Sequence, residues 1–91
     1  MKTYKFLVSG KVQGVYYRKH IQEMAKEAGF RGYVRNLPDG RVEVVVNIEN
    51  EEKLKEFLAI LKKGSPWSKV EEIKYEEIPF AEFDDFKIVY G

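Results

Sequence analysis

The sequence predicts an α+β domain of the ferredoxin-like, split βαβ type. The expected order is strand, helix, strand, strand, helix, strand (βαββαβ), an antiparallel sheet with two helices on one face. Three observations predict it. Ile21, Met24, Ala25 and Ala28 fall on one helical stripe, and Leu54, Phe57, Leu58 and Leu61 on another. The stretches around them alternate with the period of a strand. Leu37-Pro38-Asp39-Gly40 stands between the second and third strands as a hairpin turn. A chain of 91 residues has room for one domain, residues 1–91, with one core.

The first strand is read over Tyr4 to Ser9, where Tyr4, Phe6 and Val8 alternate with Lys5, Leu7 and Ser9. A loop from Gly10 leads into a helical run that continues to Ala28. Gln22, Glu23, Lys26 and Glu27 take its wet face, and Gly29 stops it. His20 stands beside the apolar stripe and reads as a partly exposed helix residue rather than a base. The second strand runs from about Phe30 to Asn36. Phe30, Gly32, Val34 and Asn36 point one way, and Arg31, Tyr33 and Arg35 the other. The turn is expected to be type I with a glycine bulge. The third strand, Arg41 to about Ile48, puts Val42, Val44, Val46 and Ile48 on the core, while Val45 breaks the polar alternation behind.

Asn50 caps a second helix, Glu51 to about Lys63, with acidic residues at its start and Lys62 and Lys63 at its end. Gly64-Ser65-Pro66 ends it. Trp67 then has two open placements, over the core edge or over an opening. A fourth strand spans about Lys69 to Ile78. Val70 and Ile73 are three apart there, so a bulge or an irregular start is expected. Pro79 breaks it, and Asp84 to Tyr90 reads as a short last strand with Phe86, Ile88 and Tyr90 on one side.

Sixteen basic and fifteen acidic residues leave a net charge of +1, so no electrostatic footprint for nucleic acid is expected. No stretch approaches the ~18 apolar residues that span a bilayer, and the start lacks the signal-peptide pattern. The expected compartment is the cytoplasm, by default. The chain has no cysteine, which excludes disulfides, thiolate catalysis and cysteine metal sites. Asp84 and Asp85 are adjacent in an extended stretch and point apart, so they are poor joint metal ligands. Glu71, Glu72, Glu76 and Glu77 read as the wet face and edge of a strand. No metal and no cofactor is expected. Ser9, Ser65 and Ser68 share one histidine and no motif. Few Asn and Gln beside abundant Lys and Glu lean towards a thermophile.

One stretch stands apart, Gly10-Lys11-Val12-Gln13-Gly14-Val15-Tyr16-Tyr17-Arg18. Its glycines suggest a tight turn that another group can approach closely. No Ser, Thr, Asp or Asn is present from Gly10 to Lys19 to cap the next helix. The first turn carries Arg18, Lys19 and His20, cations that oppose the positive helix end. Open N–H groups, a positive helix end and an arginine fork suit an anion with several oxygens, phosphate above all. The same residues also suit an ordinary glycine turn with a solvent-capped helix and a surface arginine. Asn36 ends the second strand, which runs in the direction of the first, so it lies near the level where the first strand enters the loop. Two roles stay open for it, a partner within this site or a local brace for the hairpin.

The loop motif, together with Gly32-Tyr33-Val34-Arg35-Asn36 and Asp39-Gly40-Arg41-Val42, resembles the acylphosphatase family. The likeness extends through Gly64-Ser65-Pro66 to Phe86-Lys87-Ile88-Val89-Tyr90. It implies hydrolysis of acyl phosphates to a carboxylate and inorganic phosphate, without metal, nucleic acid or membrane as partner. It also implies that phosphate is bound by Gln13, Gly14, Val15, Tyr16, Tyr17 and Arg18, and that Arg18 and Asn36 are catalytic, with Asn36 orienting water. Two residues depart from the family's usual pattern. Tyr16 stands where a small residue is common, and Tyr17 where Phe is usual. The rival reading is a non-catalytic anion- or partner-binding module of the same fold, as in larger carbamoyl-transfer proteins of hydrogenase maturation.

Overall fold

The computed structural model describes residues 1–90. Its order is β1 (Lys2–Lys11), α1 (Tyr17–Glu27), β2 (Gly32–Asn36), β3 (Val42–Ile48), α2 (Glu51–Lys63), β4 (Lys69–Ile78) and β5 (Phe86–Ile88). The strands form one sheet in the order β4-β1-β3-β2-β5. β1 pairs antiparallel with β3 and β4, and β2 antiparallel with β3. β5 pairs parallel with β2, so the sheet is mixed rather than wholly antiparallel. The last strand returns beside β2 from the far end of the chain, and a short addition at that edge has no hairpin to force it antiparallel.

Both helices share one core with one face of the sheet. Phe6, Val8, Val34, Val42, Val44 and Val46 meet Ile21 and Ala25 of α1 and Leu54, Phe57 and Leu61 of α2. Every residue of the central strand β3 is buried. Its polar residues therefore need partners on the face without helices. Glu43 accepts from Arg35 Nε at 2.8 Å and from the Tyr33 hydroxyl at 3.1 Å, and Asn47 Oδ1 accepts from Thr3 at 2.7 Å. Val45 breaks the alternation because neighbouring side chains cover that face too.

Three boundaries differ from the sequence reading. β1 runs on to Lys11, because Gly10 and Lys11 still pair with Val70 and Lys69. Glu71 is the extra residue of the expected bulge, and a Cβ on Gly10 would run into the backbone there, the Lys69 carbonyl first and the Glu71 nitrogen next. Gly10 thus serves the sheet rather than the loop. β2 begins at Gly32, because Phe30 closes the preceding helix. The Phe30 N–H donates to the Ala25 carbonyl at 2.8 Å and the Gly29 N–H to Lys26 at 3.0 Å, a Schellman cap with Gly29 at φ 84°. β5 spans only Phe86–Ile88, and the exposed Tyr90 lies beyond it.

Strand register brings two distant segments level. Val8 and Asn36 both pair with Val42, so the end of β2 lies level with Val8, three residues before β1 ends. The Leu37–Gly40 turn closes with Gly40 N–H to the Leu37 carbonyl at 3.2 Å, and Gly40 takes φ 96°. At the start of α2, the Asn50 side chain accepts from the Lys53 N–H at 2.9 Å. Asn50→Ala should therefore lower stability by about 1 kcal/mol, read as a lower urea midpoint with an unchanged slope.

Candidate active site

The loop between β1 and α1 has an unusual backbone. Tyr16 takes φ 60° and ψ 20°, the left-handed region, and is the only non-glycine to do so among the described residues. Such a conformation costs on the order of 1–3 kcal/mol and persists only when its surroundings hold it. Tyr17 then enters the right-handed helix. A left-handed residue before a right-handed one turns successive N–H groups into a concave nest. The helix has no side-chain cap, and its first internal bond is His20 N–H to the Tyr16 carbonyl at 3.1 Å. The N–H groups of Tyr17, Arg18 and Lys19 thus have no partner within the helix.

Contacts from both sides hold the loop. The Gln13 side-chain amide donates to the Leu37 and Arg41 carbonyls, each at 2.9 Å, and so ties the loop to the β2–β3 turn. Its side chain is thereby committed, leaving only its backbone to the loop's concave side. The Ser65 hydroxyl donates to the Val15 carbonyl at 2.6 Å in a buried contact. A trans peptide points its N–H opposite to its carbonyl. Anchoring the Val15 carbonyl inward therefore aims the Tyr16 N–H outward. Gly14, at φ 71°, is exposed and has open space where a Cβ would stand.

The side chains of the loop divide sharply. Tyr17 points into the core, where its hydroxyl donates to the Leu61 carbonyl at 2.7 Å, so only its backbone faces the nest. Burial holds its phenol well above the ordinary tyrosine range. Tyr16 points out instead, against the ring of Trp67 at 5.7 Å. Arg18 is half-buried, and its guanidinium lies 5.2 Å from the centre of the Tyr90 ring. Among the described residues no ion pair engages Arg18, whereas Arg35 and Arg41 each hold a carboxylate at 2.8 Å.

Asn36 stands at the end of β2, on the helix side of the sheet. Its Oδ1 is the one buried side-chain oxygen or nitrogen without a partner among the described residues. It does not bond the hairpin turn. A cavity of 340 Å³ brings it together with Arg18, Leu37, Pro38, Val89 and Tyr90. A second cavity of 590 Å³ adjoins it through Arg18 and Tyr90 and is lined also by Gly14, Tyr16 and Lys19. A separate hollow of 510 Å³ near Met1, Phe30 and Phe80 contains none of the predicted site residues. Among the described residues no three His, Cys, Asp or Glu side chains gather to hold a metal ion, and no helix is long and apolar enough to cross a membrane.

The model of the family described as Acylphosphatase matches residues 4–88. The chain belongs to the acylphosphatase family. It is similar to the acylphosphatase of Bacillus pumilus, with 43% identity over 97% of this chain and 98% of the relative. The crystal structure of acylphosphatase from Bacillus subtilis superposes with a TM-score of 0.90 at 40% identity, covering 99% of this chain and all of that one. The chain also resembles part of T. kodakarensis HypF, at 38% identity and a TM-score of 0.84, over 12% of that protein. Within the acylphosphatase family the chain is an enzyme, a hydrolase whose family implies an acyl phosphate substrate and a phosphate product.

Sequence reasoning missed two residues. Ser65 read only as part of a helix stop, and Tyr90 as one residue of a strand face. Neither carries a local signal, since each meets the site through a partner about 50 or more residues away. Tyr17, the residue that departs from the family's usual Phe, has its hydroxyl satisfied. Tyr17→Phe should cost about 1 kcal/mol at neutral pH. The phenol must stay neutral in the fold. Its stabilising effect is therefore full below about pH 10, the ordinary tyrosine value, and is lost as pH rises above it. Denaturant unfolding should show the gap between the parental and Phe chains narrowing above that pH.

Proposed function

We propose that the chain hydrolyses a carboxyl-phosphate anhydride by in-line attack of water. The backbone N–H groups of the Gln13–Arg18 loop and the Arg18 guanidinium hold the phosphate, and Asn36 holds the water. The observation that carries this reading is the unpartnered Asn36 Oδ1, buried in the same cavity as Arg18. A buried acceptor without a partner is costly, and a water O–H bonded there offsets that cost. That bond leaves the water's lone pair free to face phosphorus.

The chemistry asks little else of the protein. The water oxygen bonds to phosphorus as the bond to the acyl oxygen breaks. The carboxylate leaves with the electron pair and needs no general acid. The water's proton passes to a phosphate oxygen. The transition state is loose, with charge spread over the equatorial oxygens. The loop N–H groups and Arg18 are donors directed at that charge, and the loop's conformation is set before substrate arrives.

Three measurements test this. A synthetic acyl phosphate should release inorganic phosphate with the parental chain, competitively inhibited by added phosphate and undiminished by EDTA. No release with folded protein would favour the binding-module reading, for which the likeness to one part of the much longer HypF is the supporting observation. Arg18→Ala should weaken phosphate inhibition and lower kcat together, because the charge it meets exists before and during reaction. Asn36→Ala should lower kcat by roughly 10²–10³ with phosphate affinity nearly kept. An Asn36→Ala chain that turns over at the parental rate removes Asn36 from the mechanism.

A further inference from the structure

Three large aromatic side chains stand in solvent at the rim of the site: Tyr16 is 70% exposed, Trp67 60% and Tyr90 77%. Apolar rings gathered in water mark a contact surface. Their positions differ. Tyr90 lines the cavity that contains Asn36, whereas Tyr16 lines only the neighbouring one, with Gly14, Arg18 and Lys19. Trp67 meets Tyr16 with ring planes at 56°. Trp67 is not on a loose tip. It comes after Pro66 in a turn that Ser68 closes, its N–H donating to the Ser65 carbonyl at 3.1 Å and its hydroxyl donating to the same carbonyl at 2.9 Å. Ser65 is the residue that anchors Val15. The aromatic pair and the anion loop are therefore mounted on one anchored piece of backbone.

In-line displacement fixes the direction of the leaving group. If water sits at Asn36, the acyl oxygen departs from the opposite side of phosphorus, away from the Asn36 cavity. Of the two cavities that Arg18 lines, the one without Asn36 is walled by Tyr16. We infer that Tyr16 and Trp67 form the acyl subsite, and that the chain favours acyl phosphates with an aromatic acyl group over small aliphatic ones. The inference rests on the hydrolytic reading above. An aromatic acyl ring can lie edge or face against the pair, and an acetyl group cannot. A negatively charged acyl chain would need a free cation at this wall. Besides Arg18, which is assigned to the phosphate, Lys19 is the cation lining this cavity, and it lies 3.9 Å from Glu23.

Trp67 is the only tryptophan in the chain, so its emission reports on this subsite alone. The test compares kcat/KM for benzoyl phosphate and acetyl phosphate in the parental chain, Trp67→Ala and Trp67→Phe. It also titrates parental emission with benzoylphosphonate, which cannot be hydrolysed, and with inorganic phosphate. The benzoyl-to-acetyl ratio should fall roughly 2- to 12-fold in Trp67→Ala, with acetyl phosphate turnover unchanged, and should be largely kept in Trp67→Phe. Emission should shift with benzoylphosphonate and stay level with phosphate. An unchanged ratio in Trp67→Ala, or an equal loss on both substrates, overturns the subsite. So does benzoylphosphonate that competes with phosphate yet leaves emission unaltered. Hydrolysis of neither substrate by the parental chain defeats the hydrolytic reading instead, and the emission titration still judges the aromatic contact by itself.

Discussion

The site depends on one strained residue. Tyr16 is held left-handed at φ 60° without a glycine to ease it. Released, it would relax towards ordinary helix or extended geometry, and the nest of N–H groups would disperse. The restraints act on its flanks. Ser65 grips the Val15 carbonyl before it, and the first turn of α1 uses its own carbonyl to receive the His20 N–H. Gln13 ties the earlier part of the loop to the β2–β3 turn. The strain is thus offset by contacts that cost little elsewhere. They use groups that a turn would otherwise have to satisfy by other means.

The sheet supplies the other half of the geometry. β1 and β2 flank β3 in the same direction, and Asn36 at the end of β2 shares a row with Val8 of β1 through Val42. The loop leaves β1 just beyond that row, and only β3 stands between β1 and β2. Parallel β5 extends the same edge. Val89 N–H donates to the Val34 carbonyl at 2.9 Å, which carries the chain on to Tyr90 beside Arg18. The two proposed catalytic side chains therefore stand on regular elements, Arg18 in the first turn of α1 and Asn36 at the end of β2. Their relative positions are set by register rather than by loop flexibility.

Charge is distributed to the same end. Two other arginines are matched to carboxylates, Arg35 to Glu43 and Arg41 to Asp39. Arg18 instead packs beside an aromatic ring. A guanidinium held by a ring keeps its fork of donors free for a doubly charged oxygen ligand. The uncapped α1 contrasts in the same way with α2, whose Asn50 cap and flanking charges obey the ordinary rules. The departures from those rules gather at one place, as expected where local stability yields to binding.

Much of this architecture is legible in the residues alone. Helix stripes, the hairpin turn, the Asn50 cap and the Gly29 stop are local patterns, so sequence spacing suffices to locate them. The missing cap and the cations at the start of α1 are likewise visible, because an absence of capping residues is a fact of sequence. The boundaries of β1, β2 and β5 are not, since each depends on which carbonyl a distant or competing N–H meets. Periodicity could not distinguish Tyr16 from Tyr17, adjacent tyrosines of which one enters the core and the other the solvent. Nor could it choose for Asn36 between bracing the turn and facing Arg18. The sequence by itself determined the fold class, the helix ends and the loop that departs from capping rules. Tertiary structure alone decided the left-handed Tyr16, the Ser65 anchor, the parallel last strand and the unpartnered Asn36, because those rest on contacts between residues far apart in the chain.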